Sequence, residues 1–154
     1  QRSIRTKDYQ FIINFKPDRW PLGDPYRLDG DNEPSYSLLE NRTFVTLADE
    51  DAGPTKAWIV TNRNDPKVNP IYKAVYGKRP KEELYDLKKD PNQMDNLANN
   101  PKLAQTVKKL RQRLVKYLRE TNDPRLIDDG KFFETPPMAG VVKGQRTIEQ
   151  AIAD

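Results

Sequence analysis

The 154-residue sequence contains no cysteine and no histidine. Without cysteine there is no disulfide, no thiolate zinc site and no cysteine nucleophile. Without histidine there is no Ser-His-Asp triad and no imidazole general base. These two absences exclude most of the familiar hydrolytic chemistries from the residues of this chain.

Glycine is scarce as well, with seven residues in the chain, and neither of the common phosphate-binding glycine motifs occurs. We therefore expect no nucleotide site. No apolar run approaches the roughly 18 residues of a membrane span, and the N-terminus lacks a signal-peptide pattern, so we expect no membrane partner. The segment 29–33 has the composition of a calcium loop but lacks its spaced ligands and closing glutamate, and we predict no metal site.

The residues that are present predict one compact domain with a loop-rich surface. The length suits a single core, and the 13 prolines impose several stops on regular structure. The sequence opens at Gln1 without a methionine and runs directly into strand-like residues. We therefore expect it to be a fragment of a longer polypeptide.

Alternating apolar residues predict an N-terminal hairpin, in which residues 3–5 pair across a short turn with a strand bearing Tyr9, Phe11, Ile13 and Phe15 on one face. Residues 16–55 are predicted to be a long, acidic and irregular connection. Residues 56–60 fit a short helix or a strand. A helix is predicted over 69–76, and a second strand over 83–87.

The strongest periodic signal predicts a helix over 101–120. Asn100 supplies an N-cap and Pro101 a first helical residue. A single apolar stripe follows, which indicates packing against a sheet and consists of Leu103, Val107, Leu110, Leu114 and Tyr117. We predict a domain of residues 1–125, followed by an extended tail, 126–154, that wraps the domain and contains only a brief helix near 147–153.

The net charge of +4 is unevenly distributed along the chain. Residues 101–120 carry seven basic residues and one acidic residue, whereas residues 21–55 carry eight acidic residues and two arginines. The basic helix fits either a polyanion-binding surface or an ordinary solvated face, built from Lys102, Lys108, Lys109, Arg111, Arg113, Lys116 and Arg119. Because Tyr117 is assigned to the apolar stripe, we expect no exposed aromatic residues among these cations, as nucleic-acid modules have, and therefore no nucleic-acid partner.

Several short motifs together resemble one enzyme family. They are Glu83-Leu84-Tyr85-Asp86-Leu87, Asp90-Pro91 and Asn96-Leu97-Ala98. In their order and spacing they resemble the C-terminal subdomain of the sulfatases of the alkaline phosphatase superfamily. The segments 4–12 and 120–124 extend the resemblance over about residues 3–125, and the second is similar to the heparan N-sulfatase (sulfamidase) branch.

This resemblance implies an α+β fold, with a small antiparallel β-sheet, a long C-terminal α-helix packed on one face, short helices and long loops. It implies a partner, an N-terminal catalytic domain that is not in this sequence, and hydrolysis of sulfate esters or sulfamates, with a sulfated glycan as substrate. In the family, a formylglycine made from the Cys or Ser of a C/S-x-P/A-x-R motif and a Ca²⁺ ion act in that domain. Family members work in periplasmic, secreted or lysosomal compartments.

The chain departs from the family pattern at the catalytic residues. None of Ser3, Ser35 and Ser37 begins the required motif, and no family catalytic residue can be placed on this sequence. We therefore predict no catalytic residue, no cofactor and no sulfatase activity for this chain alone.

Four residues have the chemistry of a substrate-contacting rim, because cations bind sulfate oxygens and aromatic rings stack on sugars: Lys16, Arg19, Trp20 and Tyr26. The alternative interpretation is that Trp20 and Tyr26 are buried against the missing domain.

Overall fold

The computed structural model describes residues 1–30 and 32–134. These residues form two compact units: the first comprises Gln1–Pro17 and residues 80–134, and the second comprises residues 18–30 and 32–79. The division between a domain of residues 1–125 and a tail of residues 126–154 stays a prediction. The helix predicted near 147–153 lies outside the described residues.

The α+β fold class is confirmed by three strands and four α-helices within the described residues. In chain order these elements are β1 (Arg2–Arg5), β2 (Tyr9–Ile13), α1 (Tyr36–Asn41), α2 (Pro54–Thr61), α3 (Asn69–Tyr76), β3 (Glu82–Asp86) and α4 (Ala104–Glu120).

The first unit is built on an antiparallel sheet of order β1-β2-β3. The predicted hairpin is confirmed, because β1 and β2 pair across a turn in which the Thr6 hydroxyl accepts hydrogen bonds from two backbone N–H groups. In the central strand, Phe11 lies opposite Ile4 on one side and Leu84 on the other. These apolar residues present one face of the sheet for a helix to cover.

Helix α4 covers that face. The Asn100 side chain accepts a hydrogen bond from the Lys102 N–H at 3.0 Å, one turn of 3-10 helix follows over Pro101–Leu103, and α4 continues to Glu120. The predicted helix is therefore confirmed. Its buried residues form one hydrophobic core with Phe11, Ile13 and Leu84, and they are Val107, Leu110, Leu114 and Leu118.

The prediction is wrong for one residue of the apolar stripe of α4. Tyr117 is 62% exposed, whereas Leu118 is buried. The buried face runs from Leu114 to Leu118 in a step of four, and Tyr117 is rotated from Leu118 by about 100° around the helix. The predicted step of three from Leu114 therefore reaches Tyr117, which lies outside the core.

The motif that carries the family resemblance has a structural role at the outer edge of β3. The Leu97 N–H donates to the Leu84 carbonyl at 2.8 Å, and the Leu84 N–H donates to Asn96 Oδ1 at 2.9 Å. Asn96 Nδ2 also donates to the Glu82 carbonyl at 3.1 Å. Because these bonds satisfy backbone groups of β3, the strand does not present a fully open edge.

The second unit is mainly helical. The prediction that residues 16–55 are irregular is wrong at α1, where the Ser35 hydroxyl accepts a hydrogen bond from the Leu38 N–H and caps the helix. The ambiguous segment 56–60 is helical and lies within α2, which begins at Pro54. The core of this unit consists of Leu28, Leu39, Val45, Leu47, Ala57, Ile59, Val60, Val68 and Tyr76.

Helix α3 has the predicted bounds, ends at Tyr76 and has Gly77 as its C-cap. Gly77 has a φ of −63°, so the position does not require a left-handed backbone. It requires the absence of a side chain, since a Cβ there would lie 2.4 Å from the Lys73 carbonyl oxygen.

After α4, the described part of the first unit continues in a 3-10 helix, Pro124–Leu126, and a helical segment, Asp128–Phe133, that is kinked where Asp129 and Gly130 have positive φ. The sequence did not predict either of them. Asp123 caps the first of them, and its carboxylate accepts a hydrogen bond from Arg2 Nε at 2.6 Å. The Phe133 ring lies beneath the guanidinium groups of Arg125 and Arg2, at 3.9 Å and 5.5 Å from its centroid. These contacts fasten the segment after α4 to the first strand.

Candidate functional site

Lys16, the first of the four predicted rim residues, belongs to the first unit. It is half-buried, and its ammonium lies 2.7 Å from Asp129 Oδ2. The hydrogen bond from Lys16 lowers the pKa of Asp129 from its usual value. A sulfate group that bound Lys16 would therefore compete with this carboxylate.

The other three rim residues belong to the second unit. Trp20 is half-buried, and the Lys78 ammonium lies 5.1 Å from the centroid of its ring. The Tyr26 hydroxyl donates to the Phe44 carbonyl, and burial raises the pKa of this phenol against the opposing effect of Arg27. Arg19 is exposed. Their role in substrate contact stays a prediction.

The basic face of α4 divides into paired and unpaired cations. Arg111 forms a two-pronged ion pair with Glu82, with both N–O distances at 2.5 Å, and this hydrogen bonding raises the pKa of Arg111. Lys116 Nζ lies 3.7 Å from Glu120 Oε1. Within the part of the chain that the structure describes, the remaining cations of the face make no side-chain hydrogen bond or ion pair, and all are exposed: Lys102, Lys108, Lys109, Arg113 and Arg119.

Two of the helix cations line a groove between β1 and α4, which we call the β1–α4 groove. Its volume is about 480 Å³, and its lining consists of Ser3, Ile4, Arg5, Arg113, Leu114, Lys116, Tyr117 and Glu120. Ile4 and Leu114 supply apolar surface, and three cations and one carboxylate supply charge. Arg5 comes from β1, so the groove joins residues that are more than a hundred positions apart in sequence.

Only part of this groove is indicated by the sequence. Arg113 and Lys116 were predicted as members of the basic face, whereas Tyr117 was assigned to the core and Arg5 was not considered. The alternation in β1 indicates only Ile4, whose partly buried side chain faces the core beneath α4, whereas the side chains of its neighbours Ser3 and Arg5 point to the other face of the sheet. That β1 lies along this part of α4 follows only from the tertiary structure.

A buried carboxylate in β3 has a structural environment. Glu83 Oε1 accepts a hydrogen bond from Asn14 Nδ2 at 2.6 Å, and Glu83 Oε2 accepts one from the Tyr85 hydroxyl. Asn14 also donates to the Pro80 carbonyl at 2.6 Å. Because each carboxylate oxygen has a partner in the first unit, this arrangement fixes the start of β3.

No group of three or more acidic side chains in residues 1–30 and 32–134 is placed to hold a metal ion. The described residues thus offer no donor set for the calcium ion that the family resemblance implies. Among these same residues, none of the helices has both the length and the apolar character that crossing a membrane requires.

Comparison with known proteins identifies two related enzymes. No protein-family model matches the chain. The chain is 31% identical over 127 residues to the human (Homo sapiens) N-sulphoglucosamine sulphohydrolase, an alignment that covers 80% of this chain and 20% of that protein. It is 25% identical over 123 residues to the ulvan-active sulfatase of Formosa agariphila, with 79% and 17% covered. The chain therefore spans about a fifth of the length of these curated relatives.

Proposed function

Because this chain is a sulfatase homologue that corresponds to about a fifth of its relatives' length, we propose that it is the non-catalytic C-terminal portion of a sulfatase. In this role it completes the fold of a catalytic domain that lies in another part of the polypeptide or in another chain. The predicted relation to the sulfatases is itself confirmed by both relatives, the first of which also bears out the similarity to the sulfamidase branch.

The observation that carries the proposal is the combination of sulfatase homology with the absence of every cysteine and histidine. A formylglycine made from the Cys or Ser of a C/S-x-P/A-x-R motif has no source here, because none of the three serines lies in that motif. In this proposal, both the formylglycine and the carboxylates that bind Ca²⁺ are supplied by the catalytic domain.

We further propose that the assembled enzyme acts on a sulfated glycan. One relative is named for N-sulphoglucosamine, and the other for its activity on ulvan. In this proposal the chain contributes to the substrate rim through Lys16, Arg19, Trp20 and Tyr26. The support is chemical, since cations and aromatic rings are the groups that bind sulfate oxygens and sugar faces.

The proposal predicts that the 154-residue chain alone has no sulfatase activity. The test measures hydrolysis of a sulfate ester, 4-nitrocatechol sulfate, and of a sulfamate, glucosamine N-sulfate. We expect no turnover by the chain, and turnover when it is produced together with the catalytic polypeptide. The control is the catalytic polypeptide without this chain, which we expect to be insoluble or inactive. Turnover by the chain alone would contradict the proposal.

The second candidate function is that of a polyanion-binding module, and the five unpaired cations on α4 favour it. It predicts that the chain is retained on immobilised heparin and elutes as salt screens the charges. Loss of retention already at physiological ionic strength would count against this function.

A further inference from the structure

We propose that the β1–α4 groove is a binding subsite for one sulfated saccharide unit, with Arg113 and Lys116 receiving the sulfate group and Tyr117 receiving the sugar ring. This inference rests on the proposed function in one respect, namely that the enzyme acts on sulfated glycans. It concerns a different surface from the predicted rim, because none of the four rim residues lines the groove.

The charges of the groove favour an anionic ligand. Arg113 forms no ion pair and no side-chain hydrogen bond with any other described residue, so its guanidinium group is available. Lys116 forms a long and exposed ion pair with Glu120, in which Lys116 Nζ lies 3.7 Å from Glu120 Oε1. With three cations and one carboxylate, the lining carries a net charge of +2 (3 − 1). A guanidinium presents paired N–H donors that match two oxygens of a sulfate.

The apolar part of the groove favours a saccharide over a free anion. Tyr117 is 62% exposed although it is a large aromatic residue, and it lies beside the apolar surface of Ile4 and Leu114. Aromatic rings offer a flat apolar face to a ligand while the phenol oxygen stays in water. The groove volume of about 480 Å³ falls within the range of small-ligand sites, roughly 300–1,000 Å³.

The same composition argues against a nucleic-acid strand as the occupant. Sequence-tolerant binding of single strands uses several aromatic residues, on which successive bases stack along a basic track. This groove contains one aromatic residue, Tyr117. Its single ring beside a compact set of cations suits one ring-shaped ligand with an attached anion.

The test compares two charge-matched double variants of the 154-residue chain. R113Q/K116Q removes the two cations that α4 contributes to the groove, and K108Q/K109Q removes two exposed cations of α4 that do not line it. Calorimetry at about 0.15 M salt measures the binding of a heparin-derived tetrasaccharide. We expect R113Q/K116Q to weaken binding by at least about tenfold, because charge-assisted hydrogen bonds are lost, and K108Q/K109Q to weaken it by less than about threefold.

Two further measurements test the saccharide component. Y117A should weaken tetrasaccharide binding by about threefold or more, since it removes the aromatic face. The fully desulfated tetrasaccharide should show no measurable binding. Circular dichroism checks that each variant keeps the wild-type fold.

Four results would overturn the proposal. Equal losses in the two double variants would show diffuse attraction to the basic helix. An unchanged affinity in Y117A would show an anion site without a sugar subsite. Equal binding of the desulfated sugar would remove the role of the sulfate group, and tighter binding of a single-stranded RNA oligonucleotide would identify a nucleic-acid surface. None of these results depends on hydrolysis, so they are separable from failure of the proposed function, which the activity test detects.

Discussion

Lys56 shows how the second unit stabilises a segment that contains little regular structure. Its side chain is almost fully buried, at 1% exposure, and its ammonium donates to the carbonyls of Thr43, Leu47 and Glu50 at 3.0, 3.1 and 2.9 Å. Burial lowers the pKa of this ammonium, and the nearby carboxylates of Glu50 and Asp51 oppose that shift. The three carbonyls use all three donors of the ammonium, so the cation organises residues 43–50 around itself.

We predict that Lys56→Met destabilises the second unit by about 2–4 kcal/mol, because the methionine fills the space but leaves buried carbonyls without their donor. Both tryptophans, Trp20 and Trp58, lie in this unit, so urea unfolding monitored by tryptophan fluorescence reports on it. The matched control is Lys73→Met on the exposed face of α3, which should change stability by less than about 0.5 kcal/mol. An unchanged unfolding midpoint in Lys56→Met would show that water replaces the ammonium at little cost.

Strand β3 illustrates how one side chain outside an element completes that element. Asn96 accepts from the Leu84 N–H and from the Ala98 N–H, and it donates to the Glu82 carbonyl. Leu84 is fully buried in the core of the first unit. Asn96 therefore supplies, from a loop, part of the hydrogen bonding that a fourth strand would supply to the edge of a sheet.

We predict that Asn96→Ala destabilises the first unit by about 1–3 kcal/mol, because the Leu84 N–H loses its acceptor. Hydrogen exchange measured by NMR should show faster exchange of the Leu84 amide than in the wild type. Asn96→Asp keeps an acceptor oxygen and should retain most of the protection of this amide. The control is the exposed neighbour Asn99, whose replacement by alanine should leave exchange unchanged. If Asn96→Ala left Leu84 equally protected, the proposed closure of the strand edge would be wrong.

Much of the fold follows from local signals in the sequence. The hairpin, α3 and α4 were predicted because alternation, apolar spacing and capping residues act over a few positions. The sequence also contained Ser35, a good N-cap, but the surrounding prolines obscured α1. The choice between Leu118 and Tyr117 as the last core residue depends on where the sheet ends beneath the helix, and a helical period alone does not fix that.

The candidate site was less predictable than the fold. The β1–α4 groove requires residues from β1 to meet residues from α4, and no local pattern states which strand lies beside which turn of a helix. The predicted rim residues Lys16, Trp20 and Tyr26 have suitable chemistry for a ligand. In the folded chain they contact Asp129, Lys78 and the Phe44 carbonyl, respectively, which their sequence neighbours do not reveal.

At the scale of the whole molecule, the first unit is discontinuous in sequence. Strands β2 and β3 are adjacent in its sheet, and the described residues of the second unit lie between them along the chain. Closure of the first unit therefore depends on contacts between distant segments. One such contact joins Arg2 to Asp123, where the hydrogen bond from Arg2 lowers the pKa of the Asp123 carboxyl and the Arg125 N–H adds to the effect.

This contact should make the first unit sensitive to acid. Because the folded-state pKa of Asp123 lies below its ordinary value of 3.8, its contribution is complete above that value and is lost as pH falls through the folded-state pKa. We predict that Asp123→Asn, which keeps an N-cap, costs about 1 kcal/mol at pH 7 and that the cost shrinks below about pH 4. Urea unfolding of the wild type and the variant, followed through α4 amide resonances at pH 7, 5 and 3, measures the difference in the free energy of unfolding.

Other carboxylates titrate in both proteins, so their effects cancel in this difference. The exposed control Asp95→Asn should show no such trend. If the destabilisation by Asp123→Asn stayed constant down to pH 3, the charge of the Asp123 carboxylate would contribute nothing to the contact with Arg2.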